Sequence, residues 1–382
     1  MTGKAERRSD IDWLRTVAVL LLFLFHTARI FDINESFYVQ NNEASRALTY
    51  GIIYSIGPWF MPLFFVLAGA STWYALHFRS PAKYAGERFK RLFLPFVFGV
   101  LILIPPQSYC GLLNHAGTSL SYLEWYPQFF ILNLEDLEGY YLGGHTWGHL
   151  WFILHLFVYS LAGLPLFVYL NGESGRRFIN SAAKFFTRPG IIFLLPFLLL
   201  VTSLFPEIAG GNPLLYITFF IYGYILMADD RFAEMIDNYK NTALIFGPGI
   251  YVLFLIMFWS DAWPANMPAW LKDIRSGYIE CFVSFFTIVA MLSYARKYLN
   301  FDNAFLKYAR EASYPFYILH QSVIVVIGFF VVRWDAGELV KYLIITAASL
   351  ITTALLYDVL VRRINIMRFL FGMKLHVKTA QK

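Results

Sequence analysis

The chain has 382 residues, of which 58% are hydrophobic and only 15% charged, and its mean hydropathy is +0.54. A soluble protein of this length would expose far more charge, so the composition excludes the soluble classes and indicates a membrane protein with several spans. The net charge of +6 comes from Lys and Arg residues in loops on one side of the predicted membrane spans. We therefore expect no nucleic-acid partner. The two cysteines, Cys110 and Cys281, give no disulfide framework and are interpreted as packing residues.

Apolar stretches of membrane-spanning length follow one another along the whole chain. They lie near residues 11–31, 50–76, 92–106, 147–170, 190–207, 213–228, 242–260, 277–296, 313–333 and 339–361. The sequence therefore predicts an all-α fold, a polytopic membrane helix bundle of about ten transmembrane helices. We expect one integral membrane domain over residues 1–382, with both termini on the same side.

The basic residues predict which side that is. Of the 31 Lys and Arg residues, 24 fall at the termini or in loops on the same side as the termini, six fall on the opposite side, and Arg15 lies inside a span. Because Lys and Arg accumulate in cytoplasmic loops, both termini are predicted to be cytoplasmic, in the inner membrane. The longest loop, residues 107–146, then faces outward.

The first span carries one titratable residue towards each end, Arg15 and His26, separated by ten uncharged residues. Eleven helical steps of about 100° return to nearly the same face, about 16 Å further along the axis. Ionisable residues inside membrane spans usually face a protein interior or a pathway, although two snorkelling end-anchors are the ordinary alternative. With the predicted orientation, Arg15 lies near the cytoplasm, and His26, in the outer half, is suited to deprotonating a hydroxyl or carrying a group covalently.

Two further arginines, Arg88 and Arg91, stand at the cytoplasmic mouth of the third predicted span, three residues apart. Guanidinium groups match phosphate oxygens, so together with Arg15 they suit an anionic, phosphate-bearing ligand. Positive-inside anchoring explains the same pair without a ligand.

Several histidines and one carboxylate lie within or beside other spans. His149, near the outer end of the fourth span, is expected at a depth comparable to His26, and His320 lies about 10 Å into the ninth span, as packing or as part of a lining. Near His149 no zincin pattern occurs, so a metal site is not expected. Glu280, near the outer end of the eighth span, suits either the stabilisation of an imidazole or a solvated helix end.

The outward loop combines aromatic and acidic side chains. Aromatic rings beside carboxylates suit either a carbohydrate or an interfacial aromatic belt. The acidic residues concerned are Glu124, Glu135, Asp136 and Glu138, and the aromatic ones are Tyr122, Trp125, Tyr126, Tyr140 and Tyr141.

Four motifs resemble those of the membrane acyltransferase-3 family. The segment "RRSDIDWLRTVAVLLLFLFH" is similar to the opening of its first helix and matches at Asp10, Asp12, Leu14, Arg15, Ala18 and His26. "FFVLAGA", "RFKRLFLP" and "SYPFYILHQ" resemble its second-helix, R-x-x-R and late histidine motifs, and the last of these contains His320. Trp13 departs from the pattern, which has glycine there. "HLWFIL" and "MRFLFGMK" lean towards the branch of the family that contains the glucan biosynthesis succinyltransferase.

The resemblance implies transfer of an acyl group, of the acetyl or succinyl class, from cytoplasmic acyl-coenzyme A to a hydroxyl of an extracytoplasmic carbohydrate or glucan. His26 and Glu280 are the expected catalytic residues, and Arg15, Arg88, Arg91, His149 and His320 the expected substrate-binding residues. Acyl-coenzyme A is then a donor substrate, with no tightly bound cofactor. We expect no fused hydrolase-like domain of the kind some members have, so transfer would finish in the bundle or on a separate acyl-accepting partner. A homo-oligomer is a further expected form of partner.

Two other classes fit parts of the sequence. One is a secondary transporter or flippase of a glycan or lipid-linked glycan, in which His26 would relay protons; the lack of internal repeats and of midplane charges counts against it. The other is a non-catalytic membrane scaffold, which leaves the intramembrane Arg15 and His26 without a role. Consumption of acyl-coenzyme A distinguishes the enzyme from both.

Overall fold

The structure is a computed structural model, and it describes residues 8–131, 139–208, 210–260, 266 and 268–376. The helices of the first half of the chain are α1 Ser9–Arg29, α2 Arg46–Leu48, α3 Ser55–Phe78, α4 Pro81–Arg88, α5 Leu94–Ile102, α6 Ile104–His115, α7 Tyr122–Trp125, α8 Trp151–Ala162, α9 Leu164–Asn171 and α10 Glu173–Phe186. Those of the second half are α11 Leu195–Ser203, α12 Pro213–Leu226, α13 Asp230–Asn238, α14 Lys240–Leu244, α15 Ile250–Trp259, α16 Ala269–Gly277, α17 Ser284–Tyr298, α18 Ala304–Val331, α19 Glu338–Leu356 and α20 Asn365–Leu370.

Wider π turns and tighter 3₁₀ turns connect or extend these helices. The π turns are Thr49–Tyr54, Phe89–Phe93, Ile245–Gly249, Tyr278–Val283 and Tyr357–Val361, and the 3₁₀ turns are Tyr126–Phe130, Gly139–Leu142, Gly148–Leu150 and Ile191–Leu194. Within the described residues the β structure is limited to an isolated bridge between Ile208 and Gly211. The all-α class predicted from the sequence is confirmed.

The described residues contain seven helical segments long and apolar enough to cross a membrane, or up to nine if two bent pairs each count as one span. The seven are Ser9–Arg29, Arg46–Phe78, Pro81–His115, Lys240–Trp259, Ala269–Tyr298, Ala304–Val331 and Glu338–Val361. The bent pairs are Gly148–Ala162 with Leu164–Asn171, at 48°, and Glu173–Phe186 with Ile191–Ser203, at 108°.

The predicted number of ten spans is therefore not established, and helix length explains the difference. α12 has 14 residues, which extend about 21 Å against the roughly 30 Å of a bilayer core. α11 has nine residues and is shorter still. The predicted span 147–170 breaks where Pro165, in the first turn of α9, cannot supply the backbone N–H that a continuous helix needs.

The chain forms two compact units, each assembled from separate stretches. The first unit comprises Met1–Ala18, Tyr54–Gly86 and His155–Tyr308, and the second unit comprises Val19–Ile53, Glu87–Leu154 and Ala309–Lys382. Helix α1 begins in the first unit and ends in the second. Arg15 and His26 therefore belong to different units, although they share one helix.

In the first unit, α3 and α12 pack together at two glycines. A Cβ on Gly69 would overlap the carbonyl oxygen of Phe220, and a Cβ on Gly223 would overlap that of Val66. Small residues let helix backbones approach closely where lipid supplies no hydrophobic force between helices. This contact holds α3, which carries the "FFVLAGA" motif, in place.

Trp13 anchors the beginning of α1. Its ring stacks on Phe305 with centroids 5.8 Å apart, and its indole N–H donates to the carbonyl of Phe301 at 3.1 Å. A glycine at this position would make neither contact. Trp13 thus gives this chain an attachment of α1 within the first unit that the family motif lacks.

In the second unit, polar contacts fasten the segment after α1 to the beginning of α19. The buried Lys341 donates to the side-chain carbonyl of Asn41 at 3.0 Å and to the backbone carbonyl of Val332 at 2.9 Å. The hydroxyl of Ser45 donates to Glu338 at 2.8 Å. These contacts fix the segment that carries Phe37, an aromatic neighbour of His26.

Candidate active site

Three histidines from separate parts of the sequence converge in the second unit. His26 lies on α1, His149 on the 3₁₀ turn Gly148–Leu150, and His320 on α18. The ring centroids of His26 and His320 are 5.1 Å apart, and those of His149 and His320 are 4.9 Å apart. The structure thus brings together three of the residues proposed from the sequence, which we call the histidine trio.

Backbone carbonyl groups hold two of the three rings. Nδ1 of His320 donates to the carbonyl oxygen of Tyr317 at 2.6 Å, and Nε2 of His149 donates to that of Ile318 at 3.0 Å. The hydroxyl of Tyr317 donates in turn to the backbone carbonyl of His149. The turn before His149 uses Gly148 with φ +49°, where a Cβ would lie 2.9 Å from Cδ1 of Ile104. Glycine therefore lets this turn bring His149 against α18.

The three imidazoles differ in burial. His320 is fully buried and His149 is 5% exposed, whereas His26 is half-buried. One nitrogen in each ring, Nδ1 of His26, Nδ1 of His149 and Nε2 of His320, is buried without a hydrogen-bond partner among the described residues. Because buried polar atoms are usually paired, three such nitrogens in adjacent rings suggest a functional site. His26 is the member that a substrate can reach.

Aromatic rings surround the accessible histidine. Phe37 stacks on His26 with centroids 6.1 Å apart and planes 24° apart, and Phe25 meets it edge-on at 5.2 Å. On the other side of His320 lies the ring of Phe23, with centroids 5.9 Å apart. Apolar walls of this kind lower the local dielectric and strengthen any charge interaction that develops during a reaction.

A buried amide network lies next to His320 in the sequence. Gln321 donates through Nε2 to Oε1 of Gln107 at 2.9 Å, and Gln107 donates through its own Nε2 to the hydroxyl of Ser322 at 2.8 Å. That hydroxyl donates to the carbonyl of Leu103 at 2.8 Å. Because buried polar networks specify one arrangement, this one fixes α18 against α6 beside the trio.

At the other end of α1, Arg15 has partners within the first unit. Its guanidinium donates to the Asp12 carboxylate at 3.1 Å and to the Ser71 hydroxyl on α3 at 2.9 Å. The Arg15 side chain remains 33% exposed. It is therefore held in one orientation and still accessible to an anion.

The arginines Arg88 and Arg91 lie in the second unit, where α4 passes into the π turn Phe89–Phe93. Both are half-buried. Three residues complete less of a turn in a π turn than in an α-helix, which changes the angle expected between the two side chains. Their binding of a phosphate-bearing ligand stays a prediction. The guanidinium of Arg91 makes no hydrogen bond or ion pair with any described residue. The backbone of Arg91 packs closely against Gly372, because a Cβ on that glycine would lie 2.8 Å from the carbonyl oxygen of Arg91.

Glu280 lies in the first unit, in the π turn Tyr278–Val283, and its side chain is exposed. Its backbone carbonyl accepts a hydrogen bond from the hydroxyl of Ser284, and its electrostatic neighbours include Glu207 and Tyr216. The sequence left open whether this carboxylate stabilises an imidazole or stands at a solvated helix end. The pairing of Glu280 with His26 stays a prediction.

Part of the outward loop forms a small packed cluster. Trp125 is 2% exposed and packs against Tyr109 and Phe129, so its ring is not a free stacking surface. Glu124 caps α7 instead of facing a ligand, because the backbone N–H and the hydroxyl of Ser121 both donate to it and lower its pKa. The other acidic residues proposed here, Glu135, Asp136 and Glu138, lie outside the described residues, as does the side chain of Tyr140.

Within the part of the chain that is described, no group of three His, Cys, Asp or Glu residues is arranged to hold a metal ion. The trio instead presents neutral imidazole nitrogens that can accept protons. Cys110 and Cys281 are free and buried, which confirms their interpretation as packing residues.

The sequence did not indicate that His149 and His320 would meet His26, nor that Ser71 would hold Arg15. The only sequence signal for the amide network is Gln107 within an otherwise apolar run and Gln321 directly after His320. For the contact between Ser71 and Arg15, the sequence offered no signal beyond the presence of a serine in the second span.

The chain matches the profile of the acyltransferase domain of the acyltransferase-3 family over residues 8–358. It belongs to this family, and it is a multi-pass membrane acyltransferase.

Its relatives include the protein named "Glucans biosynthesis protein C" in Salmonella paratyphi B (strain ATCC BAA-1250 / SPB7), Salmonella agona (strain SL483) and Salmonella enteritidis PT4 (strain P125109). Each is 24% identical over 391 residues, which cover 98% of this chain and 97% of the relative. No solved structure matches the chain.

Proposed function

We propose that this protein transfers an acyl group from acyl-coenzyme A to a hydroxyl of a carbohydrate, with a glucan as the first acceptor to test. The observation that carries the proposal is the histidine trio, in which the reachable His26 stands in an apolar environment beside two imidazoles with available nitrogens. The name of the Salmonella relatives supports a glucan as acceptor.

His26 acts on the acceptor hydroxyl. In the general-base route, its nitrogen accepts the hydroxyl proton while the hydroxyl oxygen bonds to the thioester carbonyl carbon. Cleavage of the carbon–sulfur bond then releases the coenzyme A thiolate, which takes the proton from the imidazolium. The products are the carbohydrate ester and free coenzyme A, and the histidine returns to its neutral form.

A covalent route uses the same residue. The His26 nitrogen attacks the thioester carbon, coenzyme A leaves with a proton, and the acyl-imidazole then reacts with the hydroxyl. The two routes differ in whether donor alone acylates the protein. Intact-mass measurement after incubation with acyl-coenzyme A distinguishes them, because only the covalent route adds an acyl mass that His26→Gln abolishes.

The arginines are proposed to bind the donor's phosphates. Arg15 is oriented by Asp12 and Ser71 and remains partly exposed, and Arg91 keeps its guanidinium available within the second unit. Because most basic loops lie on the side of the termini, we place the donor on the cytoplasmic side and the acceptor on the other. Donors of the acetyl and succinyl classes are the first to test.

The test compares glycans from cells that lack the gene with those from cells complemented by wild type, His26→Gln or His77→Gln, at equal protein levels in the membrane. His77 is the control, because it is an exposed histidine of the first unit that stacks on Trp73. We expect mass spectrometry to find an acyl substituent on a surface or periplasmic glycan that wild type and His77→Gln restore and His26→Gln does not. Unchanged acylation of every glycan in the deletion strain would contradict carbohydrate acylation, and full restoration by His26→Gln would contradict the role of His26.

A further inference from the structure

The hydrogen bonds of the histidine trio fix the protons on two of its rings. A carbonyl oxygen accepts hydrogen bonds and cannot donate them, so the nitrogen facing it must carry the proton. Nδ1 of His320 faces Tyr317 O and Nε2 of His149 faces Ile318 O. In the neutral rings, Nε2 of His320 and Nδ1 of His149 are therefore lone-pair acceptors. Two lone pairs cannot bond to each other, so neither ring satisfies the other.

His26 is the one member of the trio whose proton position is open. Its Nδ1 is buried and has no hydrogen-bond partner among the described residues. Nε2 of His320 is likewise buried and without such a partner. The two ring centroids are 5.1 Å apart. An N–H···N hydrogen bond of about 3 Å between two imidazoles places their centres roughly 5 Å apart, so this spacing suits one such bond.

We propose that His320 is a positioning residue for His26: its lone pair at Nε2 holds His26 in the tautomer with the proton on Nδ1. The basic nitrogen of His26 is then Nε2. The structure shows no hydrogen bond at either nitrogen from a described residue. A rotation of the half-buried His26 ring that brings its Nδ1–H towards Nε2 of His320 satisfies both nitrogens with one hydrogen bond, and the stacked ring of Phe37, with planes 24° apart, then limits further rotation. In a neutral imidazole, a hydrogen bond at one ring nitrogen fixes where the proton lies and therefore whether the other nitrogen can act as a base.

For the reaction, this inference rests on the proposed acyl transfer. When Nε2 of His26 accepts the hydroxyl proton, the ring becomes an imidazolium and its Nδ1–H becomes a stronger donor to His320. His320 thus performs, as a neutral group, the orienting task that a carboxylate performs in the serine-protease triad, where loss of the orienting group costs about 10⁴ in kcat. Because a neutral acceptor stabilises an imidazolium less than a carboxylate does, we expect a loss of about 10²-fold.

The direct test is the tautomer of His26 in the wild-type protein. Uniformly ¹⁵N-histidine-labelled protein in lipid nanodiscs is measured by solid-state NMR, and the His26 signals are assigned by their loss in His26→Gln. We expect neutral His26 to be protonated at Nδ1, although the free side chain in water favours Nε2. A His26 signal protonated mainly at Nε2 would overturn the proposal, and this measurement needs no variant of His320 to fold.

Variants of His320 test the cause. His320→Phe keeps a ring but removes the acceptor, so the Nδ1–H tautomer of His26 should be lost. His320→Gln offers a carbonyl oxygen in its place and should restore the tautomer. His149→Phe is the matched control, because its ring lies against His320 and its Nδ1 is not needed for the proposed bond. An unchanged His26 tautomer in folded His320→Phe would contradict the assignment, and so would its loss in His320→Gln or in His149→Phe.

Kinetics then separate this inference from the function on which it rests. With the donor that the wild type uses, His320→Phe should lower kcat about 10²-fold with little change in KM, and His320→Gln should recover most of it, since only the orientation of the base is affected. A purely structural role would instead lower the amount of folded protein and leave its turnover unchanged. If the tautomers behave as expected but no acyl donor is consumed by the wild type, the proposed function fails and the positioning by His320 stands.

Discussion

The two ends of α1 satisfy their polar residues in opposite ways. Arg15 is a charged group held by another charged group, Asp12, and by the hydroxyl of Ser71. His26 lies among aromatic rings and has only uncharged neighbours in its trio. Arg15 is therefore a permanent charge with fixed partners. The His26 imidazole has no charged partner within the trio, and Arg29, three residues further along α1, is itself paired with Asp32 at 2.6 Å.

This difference separates stability from activity. Removal of a charged partner leaves a buried counter-charge unpaired, which is costly in a low dielectric. Removal of a neutral imidazole leaves no counter-charge unpaired, and a hydrogen bond lost with it is worth about 0.5–1.5 kcal/mol. We expect changes at the His26 end to affect turnover and changes at the Arg15 end to affect stability and donor binding.

The largest effect is expected from the double variant His26→Gln/His320→Phe. His26→Gln alone should lower turnover by about 10³-fold or more, because it removes the acid–base group. A residue that acts only through His26 has nothing left to act on once His26 is gone, so the double variant should match His26→Gln within about threefold. Initial rates of coenzyme A release measure this. A further tenfold loss in the double variant would show that His320 also acts independently.

The Arg15 end should give a different pattern. Arg15→Met leaves the buried Asp12 carboxylate without its guanidinium, so the Tm in detergent should fall by several degrees, and donor affinity should fall by about 10-fold or more because a charge-assisted contact is lost. Arg15→Lys should recover part of the affinity, since an ammonium cannot form the same fork. Calorimetric titration with a non-hydrolysable acyl-coenzyme A analogue measures the affinity. His26→Gln is the control with unchanged donor affinity, and equal affinity in Arg15→Met and wild type would assign Arg15 to stability alone.

The helical class and the importance of α1 could be predicted from the sequence, because hydropathy and the spacing of Arg15 and His26 depend only on local order. The trio could not. His26, His149 and His320 lie on three segments far apart in the sequence, and their meeting depends on tertiary packing, including the glycine turn before His149. The spacing argument for Arg88 and Arg91 assumed an α-helix, whereas a π turn begins between them, and nothing in the sequence signalled this change in helical period.

Glu280 shows the limit of reasoning from depth alone. Its position near the outer end of a predicted span suggested an embedded partner for an imidazole, whereas its side chain is exposed in the first unit. A residue's depth along a helix is set by its sequence position, but the direction it faces is set by neighbouring helices. The π turn Tyr278–Val283 changes that direction locally.

Arg91 extends the comparison to an arginine without fixed partners. Its guanidinium makes no hydrogen bond or ion pair with a described residue and is half-buried, so its loss should leave no counter-charge unpaired. Arg91→Met should weaken donor binding by about 10-fold, the value of one charge-assisted contact, while the Tm stays within about 2 °C of wild type, as for a substitution that breaks no contact. Lys90→Met, at an exposed neighbour in the same turn, is the matched control and should change neither. A lowered Tm in Arg91→Met with unchanged donor affinity would make Arg91 a structural residue.

The smallest effect is expected at Ser71, which supplies one of the groups that orient Arg15. Its hydroxyl donates to the carbonyl of Leu67 at 2.8 Å and accepts from Arg15 at 2.9 Å. Ser71→Ala leaves the ion pair with Asp12 intact but lets the guanidinium rotate, so we expect donor affinity to fall about threefold, which corresponds to the loss of one hydrogen bond of about 0.7 kcal/mol. Ser71→Thr keeps a hydroxyl that can bond to the carbonyl four residues earlier, and it should restore the affinity. Ser276→Ala, at an exposed serine of the same unit, should have no effect. A Ser71→Ala loss as large as that of Arg15→Met would mean that Ser71, and not Asp12, determines the orientation of the guanidinium.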